Sequence, residues 1–176
     1  TILMRMFYPD RREKSAYTID YADLYRKGYR GVIFDIDNTL VPHGAPATKE
    51  AASFFASLRE TGFSTCLLSN NQKPRVAPFA DAVGSIYIEN AHKPSVKNYQ
   101  EACRRMGIKE EQAVFVGDQL FTDVYGAKRT GLYNILTEPI NPKEEIQIVL
   151  KRYLEHIVLS FYERDLARGR ITKKNS

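Results

Sequence analysis

Apolar and polar positions alternate along this chain in short, regular segments. A run rich in β-branched and aromatic residues, Gly31-Val32-Ile33-Phe34-Asp35-Ile36-Asp37, predicts a buried strand over 31–37. Similar runs predict strands over 63–68, 85–89, 113–116 and 132–136. Between them the apolar positions take helical spacing. Ala51, Ala52, Phe54, Phe55 and Leu58 predict a helix that Thr48 caps and Gly62 ends. Pro74 opens a short helix toward Ala82, with Pro78 awkward inside it. Ser95 is placed to cap a helix reaching Met106 and Gly107, and another helix spans 122–130 before Gly131. Pro139 and Pro142 break the chain before a long terminal helix over 143–168. Residues 1–30 are short apolar and basic pieces, with Asp20 capping a helical turn, and read as a lead-in packed on a sheet edge.

Strands alternating with helices imply βαβ units and a mostly parallel sheet covered on both faces, an α/β architecture. The chain has no repeat, low-complexity tract or internal linker, so 1–176 reads as a single domain, with 1–30 and 143–176 as extensions. At 176 residues, 43% of them hydrophobic, it is long enough for a sizeable core. The net charge of +5 suits an acidic partner but is modest for a dedicated nucleic-acid binder, and no specific nucleic-acid partner is expected. Cys66 sits in an apolar run and Cys103 in a predicted helix, so both read as buried thiols rather than a disulfide framework. His43, His92 and His156 are scattered, which argues against zinc. There is no signal-peptide pattern at the start and no apolar run near the ~18–20 residues that span a bilayer. A cytoplasmic protein is the expectation, with peripheral contact at a membrane left open.

In open α/β sheets ligands sit beyond the carboxyl ends of the strands. There the first strand carries Asp35 and Asp37, the second Ser69 and Asn70, and the fourth Gly117-Asp118 with Asp123 beyond; Lys93 follows the third. If the first strand stays extended through Asp37, both its carboxylates leave on one face and repel unless a cation, a shared proton or open water intervenes. Singly, each residue has a plainer reading: a capped turn, a surface lysine, a helix-terminal charge. Together they deliver a nucleophile, a hydroxyl, a fixed cation and further carboxylates to one edge.

Asp35-Ile-Asp-Asn-Thr, Leu68-Ser-Asn, His92-Lys-Pro and Gly117-Asp-Gln-Leu-Phe-Thr-Asp123 resemble, in order and separation, the motifs of the haloacid dehalogenase (HAD) superfamily of phosphatases. The Phe7-Tyr-Pro-Asp lead-in, Asp20 and the His-Lys-Pro box further resemble its YqeG-like, IIIA-type branch, related to phosphatidylglycerophosphate phosphatases. The resemblance implies a three-layer Rossmann-like fold with about five strands in the order 3-2-1-4-5 and no cap domain. It implies Asp35 as nucleophile and Asp37 as general acid and then base. A Mg²⁺ ion would be bound by the Asp35 and Asp118 carboxylates and the Asp37 carbonyl, with Asp123 orienting Asp118 or a metal-bound water. Ser69 and the Asn70 amide would hold phosphoryl oxygens, and Lys93 would balance charge. Crowding beside Asp35 is expected to help Asp37 keep a proton.

The intervals from Asp37 to Ser69 and from Ser69 to Lys93 leave no room for an inserted lid, so the site should be open. Among relatives that implies bulky substrates, with phosphatidylglycerophosphate first. A nucleic-acid end, a protein or a small metabolite is the alternative within the class. A phosphate-binding module without turnover, serving a protein partner, is the alternative outside it. Ile146, Val149, Leu150, Tyr153, Leu154, Ile157, Val158 and Phe161 make an apolar stripe on the terminal helix, beside Lys151, Arg152, Arg164, Arg168, Arg170, Lys173 and Lys174. The stripe either packs on the sheet or lies on an anionic bilayer, with Met4, Met6, Phe7 and Tyr8 as candidates for the same side. The sequence leaves the oligomeric state open.

Overall fold

The structure, a computed structural model, describes residues 2–172. It forms two compact units, Thr1–Ile140 and Asn141–Ser176. The first begins with α1 (Ile2–Arg5), β1 (Arg11–Glu13), a 3-10 turn (Ala16–Thr18) and α2 (Tyr21–Arg26). Then come β2 (Gly31–Phe34), α3 (Lys49–Thr61), β3 (Ser64–Leu68), α4 (Lys73–Val83), β4 (Ile86–Ile88) and α5 (Val96–Met106). A 3-10 turn (Glu110–Gln112) leads to β5 (Ala113–Gly117), a π-helical turn (Leu120–Val124), α6 (Tyr125–Thr130) and β6 (Tyr133–Thr137). The second unit is α7 (Pro142–Ala167) and the residues after it.

The strands form one six-stranded sheet in the order β1-β6-β5-β2-β3-β4, and every pairing is parallel. Without β1 this is the expected order. The lead-in does reach the sheet edge, but as a sixth strand on β6. It is fastened by a reciprocal clamp in which the Asp10 amide donates to Asn134 Oδ1 at 3.0 Å and the Asn134 amide to Asp10 Oδ2 at 3.1 Å.

The period-two pattern sorts side chains to the two faces. Val32, Phe34, Leu67, Val114 and Val116 pack with Leu24, Phe55, Leu58, Val76 and Phe79 of α2, α3 and α4. Ile33, Cys66, Leu68, Ala113 and Phe115 pack with Tyr99, Ala102, Cys103 and Ala127 of α5 and α6 on the other face. Thr48 caps α3 by accepting from the Ala51 amide, Asp20 caps α2 through Asp23, and Gly62 closes α3 at φ 114°. Ser95 stands at the N-cap of α5 but makes no side-chain cap bond. Pro78 lies inside α4, on its exposed side.

Chain order explains where the site falls. From β2 the chain moves outward to β3 and β4, then returns to the other side of β2 for β5 and β6. The crevice therefore opens beyond the carboxyl ends of β2 and β5.

Described by itself, α7 is a 26-residue helix. The residues of its predicted stripe are exposed, from 36% at Ile157 to 69% at Ile146, Leu159 and Tyr162 widen it, and Ile148 and Leu166 are half-buried. No described helix is long and apolar enough to cross a membrane. Lys173 and Lys174 lie outside the described residues. Phe7, one of the candidates for the membrane side, is partly buried, with its ring centre 5.3 Å from that of Phe121 and 4.9 Å from that of Tyr125.

Candidate active site

β2 ends at Phe34, three residues earlier than the pattern suggested. The Asp35 amide still donates to the Val116 carbonyl at 3.0 Å, keeping Asp35 beside β5. The chain then turns: Thr39 and Leu40 donate back to the Ile36 carbonyl, and Asn38 takes a left-handed φ of 61°, a conformation asparagine tolerates better than most residues. The strand therefore does not carry Asp35 and Asp37 out together, and their carboxylates take different partners.

Asp35 Oδ1 accepts from Lys93 Nζ at 2.8 Å. The same ammonium donates to Asp123 Oδ1 at 2.6 Å. Lys93 arrives from the loop before α5, after a His92 in left-handed conformation and before a cis Lys93–Pro94 bond. Its backbone is gripped by the Asn70 side chain, whose Oδ1 accepts from the Lys93 amide at 2.8 Å. The ammonium is almost wholly buried. Burial alone would push its pKa down, but the charges of Asp123 and Asp35 more than reverse this and hold it well above the ordinary lysine value. Lys93 is a fixed cation.

Asp118 follows Gly117 at the end of β5, next to β2, and the Thr39 hydroxyl donates to its Oδ1 at 3.1 Å. That hydroxyl is 3.5 Å from Asp35 Oδ2, so one threonine joins the two strand ends. Asp123 lies in the π-helical turn, 1% exposed. The Gln119 amide donates to its Oδ2 at 3.2 Å, and the Tyr99 hydroxyl holds the backbone by reaching the Thr122 and Asp123 carbonyls at 2.9 and 3.1 Å. Burial and the Asp35 charge push the Asp123 carboxyl up to about 7, against the opposing pull of Lys93 and the Gln119 amide. Residue 117 has to be glycine because a Cβ there would come within 2.5 Å of Asp123 Oδ2. The helix expected over 122–130 starts as this wider turn, which turns Asp123 inward rather than leaving it as a helix-terminal charge.

Oxygens of Asp35, Asp118 and Asp123 all lie within 4.8 Å of one another. Lys93 offsets only part of that charge. An all-oxygen, net-negative set of this size suits a hard divalent cation.

Asp37 stands apart from this set. Its Oδ1 accepts from the Gly44 amide at 2.7 Å and from Arg75 at 2.9 Å, and its Oδ2 from the Asn71 side chain at 2.7 Å. Burial pushes its carboxyl up, but the Gly44 amide, Arg75 and His43 together hold it below the usual carboxylate value. The expected help from crowding beside Asp35 is therefore not found: each carboxylate has its own cation, and Asp37 rests ionised. Ser69, buried at the end of β3, accepts from the Asn71 amide at 3.0 Å, and among the described residues no hydrogen bond joins its hydroxyl to Asp35.

The structure thus brings Asp35, Lys93, Asp118 and Asp123 into direct or threonine-bridged contact, with Asn70 fixing Lys93 and Asn71 fixing Asp37. Sequence reasoning assigned no role to Thr39, Asn71, Arg75 or Tyr99. Thr39 belongs to the first motif and Asn71 follows the second, a usable signal. Arg75 and Tyr99 are ordinary helix residues whose partners are 38 and 24 positions away.

A family model described as haloacid dehalogenase-like hydrolase matches residues 44–131, a stretch that starts after Asp35 and Asp37. "Probable phosphatase YqeG" of Bacillus subtilis (strain 168) is 35% identical over 164 residues, covering 93% of this chain and 95% of that protein. "Phosphatidylglycerophosphate phosphatase 1, chloroplastic/mitochondrial" of Arabidopsis thaliana is 29% identical over 161 residues, 86% of this chain but 46% of the relative. The crystal structure of an uncharacterized protein from Corynebacterium glutamicum shares the fold at a TM-score of 0.52 and 23% identity, covering 69% of this chain and 93% of that one. A likeness that runs almost from end to end of the chain settles its ancestry: it belongs to the haloacid dehalogenase-like hydrolases, among the phosphatases that resemble YqeG.

Proposed function

We propose that the protein is a Mg²⁺-dependent phosphomonoesterase that works through an aspartyl-phosphate on Asp35, with phosphatidylglycerophosphate as its substrate. The observation that carries the reaction is Lys93, one buried ammonium bonded at once to Asp35 and Asp123 with Asp118 alongside. It fixes a carboxylate nucleophile in a site whose remaining charge calls for a metal.

In the first step an Asp35 oxygen attacks phosphorus, the bond from phosphorus to the alcohol oxygen breaks, and Asp37 gives that oxygen a proton. In the second, water attacks phosphorus, its proton passes to Asp37, and the bond to Asp35 breaks to release inorganic phosphate. Asp37 rests ionised, so it must take up its proton as the negative phosphoryl group arrives beside it and raises its proton affinity. Ser69 and the Asn70 amide hold phosphoryl oxygens, and Lys93 offsets the charge that builds on them. Asp35, Asp118 and the Asp37 carbonyl would hold Mg²⁺, which supplies positive charge opposite the phosphoryl group. Asp123 orients this set through Lys93.

Three features support the lipid. The Arabidopsis relative carries that substrate in its name. Between Asp37 and Ser69, and between Ser69 and Lys93, the described elements are only α3 with β3 and α4 with β4, so no inserted lid domain stands in the way of a headgroup on a bilayer. The exposed apolar residues of α7, with Lys151, Arg152 and Arg164 among them, fit an anionic bilayer surface.

The test is phosphate release in Mg²⁺ from p-nitrophenyl phosphate and from phosphatidylglycerophosphate in mixed micelles. Asp35→Asn should remove both activities while leaving the melting temperature near that of the parent. Full activity in that variant overturns the role of Asp35. Release from the aryl ester with none from the lipid overturns the substrate. Failure to float with phosphatidylglycerol vesicles at low salt removes the membrane contact.

A further inference from the structure

We propose that a groove beside Asp37 is the leaving-group subsite, and that Arg75 there binds a second anionic group of the substrate, a phosphodiester on a glycerol-like alcohol. This rests on the phosphatase reading, in which Asp37 protonates the leaving oxygen.

The groove has a volume of about 340 Å³, at the small end of the ~300–1,000 Å³ range of ligand pockets. Gly44, Pro46 and Ala47 form one wall, and Arg75, Pro78 and Ala82 of α4 the other. Two of these residues help to hold Asp37: the Gly44 amide and the Arg75 guanidinium both donate to its Oδ1. Through these two residues the groove adjoins the carboxylate assigned to the leaving oxygen, and an alcohol departing past Asp37 has this space nearby. Proline and alanine make its walls apolar, and Arg75 is the cation among its lining residues.

Arg75 is poised rather than saturated. One terminal nitrogen is 2.9 Å from Asp37, and the guanidinium lies 5.7 Å from the centre of the Phe79 ring. Its Nε is buried and has no hydrogen-bond partner. A buried N–H without an acceptor is destabilising. A guanidinium fork matches a phosphate or carboxylate through two parallel N–H donors, Nε included. Nε is shielded in this conformation, so the guanidinium has to swing off Asp37 Oδ1 toward the groove for an anion there to give Nε the acceptor it lacks. That one movement of Arg75 recognises the substrate. A small neutral alcohol offers no such partner. A phosphodiester next to the leaving oxygen does.

The experiment compares steady-state kinetics of the full chain in Mg²⁺ on three substrates. These are glycerol 3-phosphate, its analogue with a phosphodiester on the glycerol (glycerophosphoglycerophosphate), and dihexanoyl phosphatidylglycerophosphate. The parent should prefer the diester-bearing compound to glycerol 3-phosphate by about tenfold or more in kcat/KM. Arg75→Gln should erase that preference, mostly through KM, and Arg75→Lys should keep part of it. Ala82→Trp, at an exposed position, fills the groove and should lower kcat/KM for the diester-bearing compound by a larger factor than for glycerol 3-phosphate. A preference left intact in Arg75→Gln and in Ala82→Trp overturns the proposal, as does a parent with no preference. The two readings fail separately. Preference for the soluble diester without turnover of the dihexanoyl lipid keeps the subsite and removes the lipid. Turnover of the lipid with the preference unchanged in Arg75→Gln keeps the lipid and removes the subsite.

Discussion

Replacing Lys93 by Met keeps most of the side chain's volume and deletes the ammonium. The structure sets the size of the effect. At an effective dielectric of ~20, each contact near 2.7 Å is worth about 6 kcal/mol of Coulomb attraction, much of it spent on desolvation. Deleting the cation leaves Asp35 and Asp123 without their shared partner, in a set whose oxygens, with those of Asp118, lie within 4.8 Å of one another. Removing one member of a buried pair typically costs about 3–5 kcal/mol. That is a large part of the ~5–15 kcal/mol that holds a domain together. Urea unfolding in metal-free buffer measures it. The chain has no tryptophan, so circular dichroism is the signal. Lys93→Met should lose about 3–5 kcal/mol. The double variant with Asp123→Asn should cost less than the sum of the two singles by about 2 kcal/mol, because the second change removes a charge that the first had stranded. Singles that add within about 0.5 kcal/mol would refute the idea that Lys93 is held by these two carboxylates. Phosphate release should fall by at least ~10²-fold in Lys93→Met, as expected for losing a fixed charge at the reacting group.

Two further expectations follow from the same geometry. Gly117→Ala places a Cβ 2.5 Å from Asp123 Oδ2 and 2.7 Å from its Cγ, and Asp123 cannot yield while Lys93 and the Gln119 amide hold it. It should cost about 1–3 kcal/mol in thermal unfolding and depress phosphate release; parental stability and rate together would contradict the close approach. The thiols of Cys66 and Cys103 are both pushed up to about 12, by burial in each case. An unfolded thiol ionises near ~8.5, so the native state is favoured below that pH and loses stability as pH climbs from there toward the folded value. At pH 8 a disulfide reagent such as DTNB should react slowly with the native chain and rapidly with both thiols in guanidinium; fast native reaction would show the burial to be wrong.

The sequence by itself determined the layers and the residues at the strand ends. Period-two runs such as Val32–Phe34 and Val114–Val116 assign core faces without any knowledge of the fold, because successive strand residues must point to opposite sides. Alternation with helices then forces a parallel sheet, and the ends of parallel strands meet at one edge. Asp35, Lys93, Asp118 and Asp123 were readable for that reason.

What only the tertiary structure decided is which charge answers which. Strand periodicity extended β2 to Asp37, whereas Asn38 turns the chain and separates the two carboxylates. Asp37 then finds Arg75, and Asp35 finds Lys93, across 38 and 58 residues of chain. Burial multiplies the strength of such pairs, and burial depends on every neighbour at once. No local pattern encodes it, so the ionised resting state of Asp37 and the orphaned Nε of Arg75 emerge only when the loops and helices are folded together.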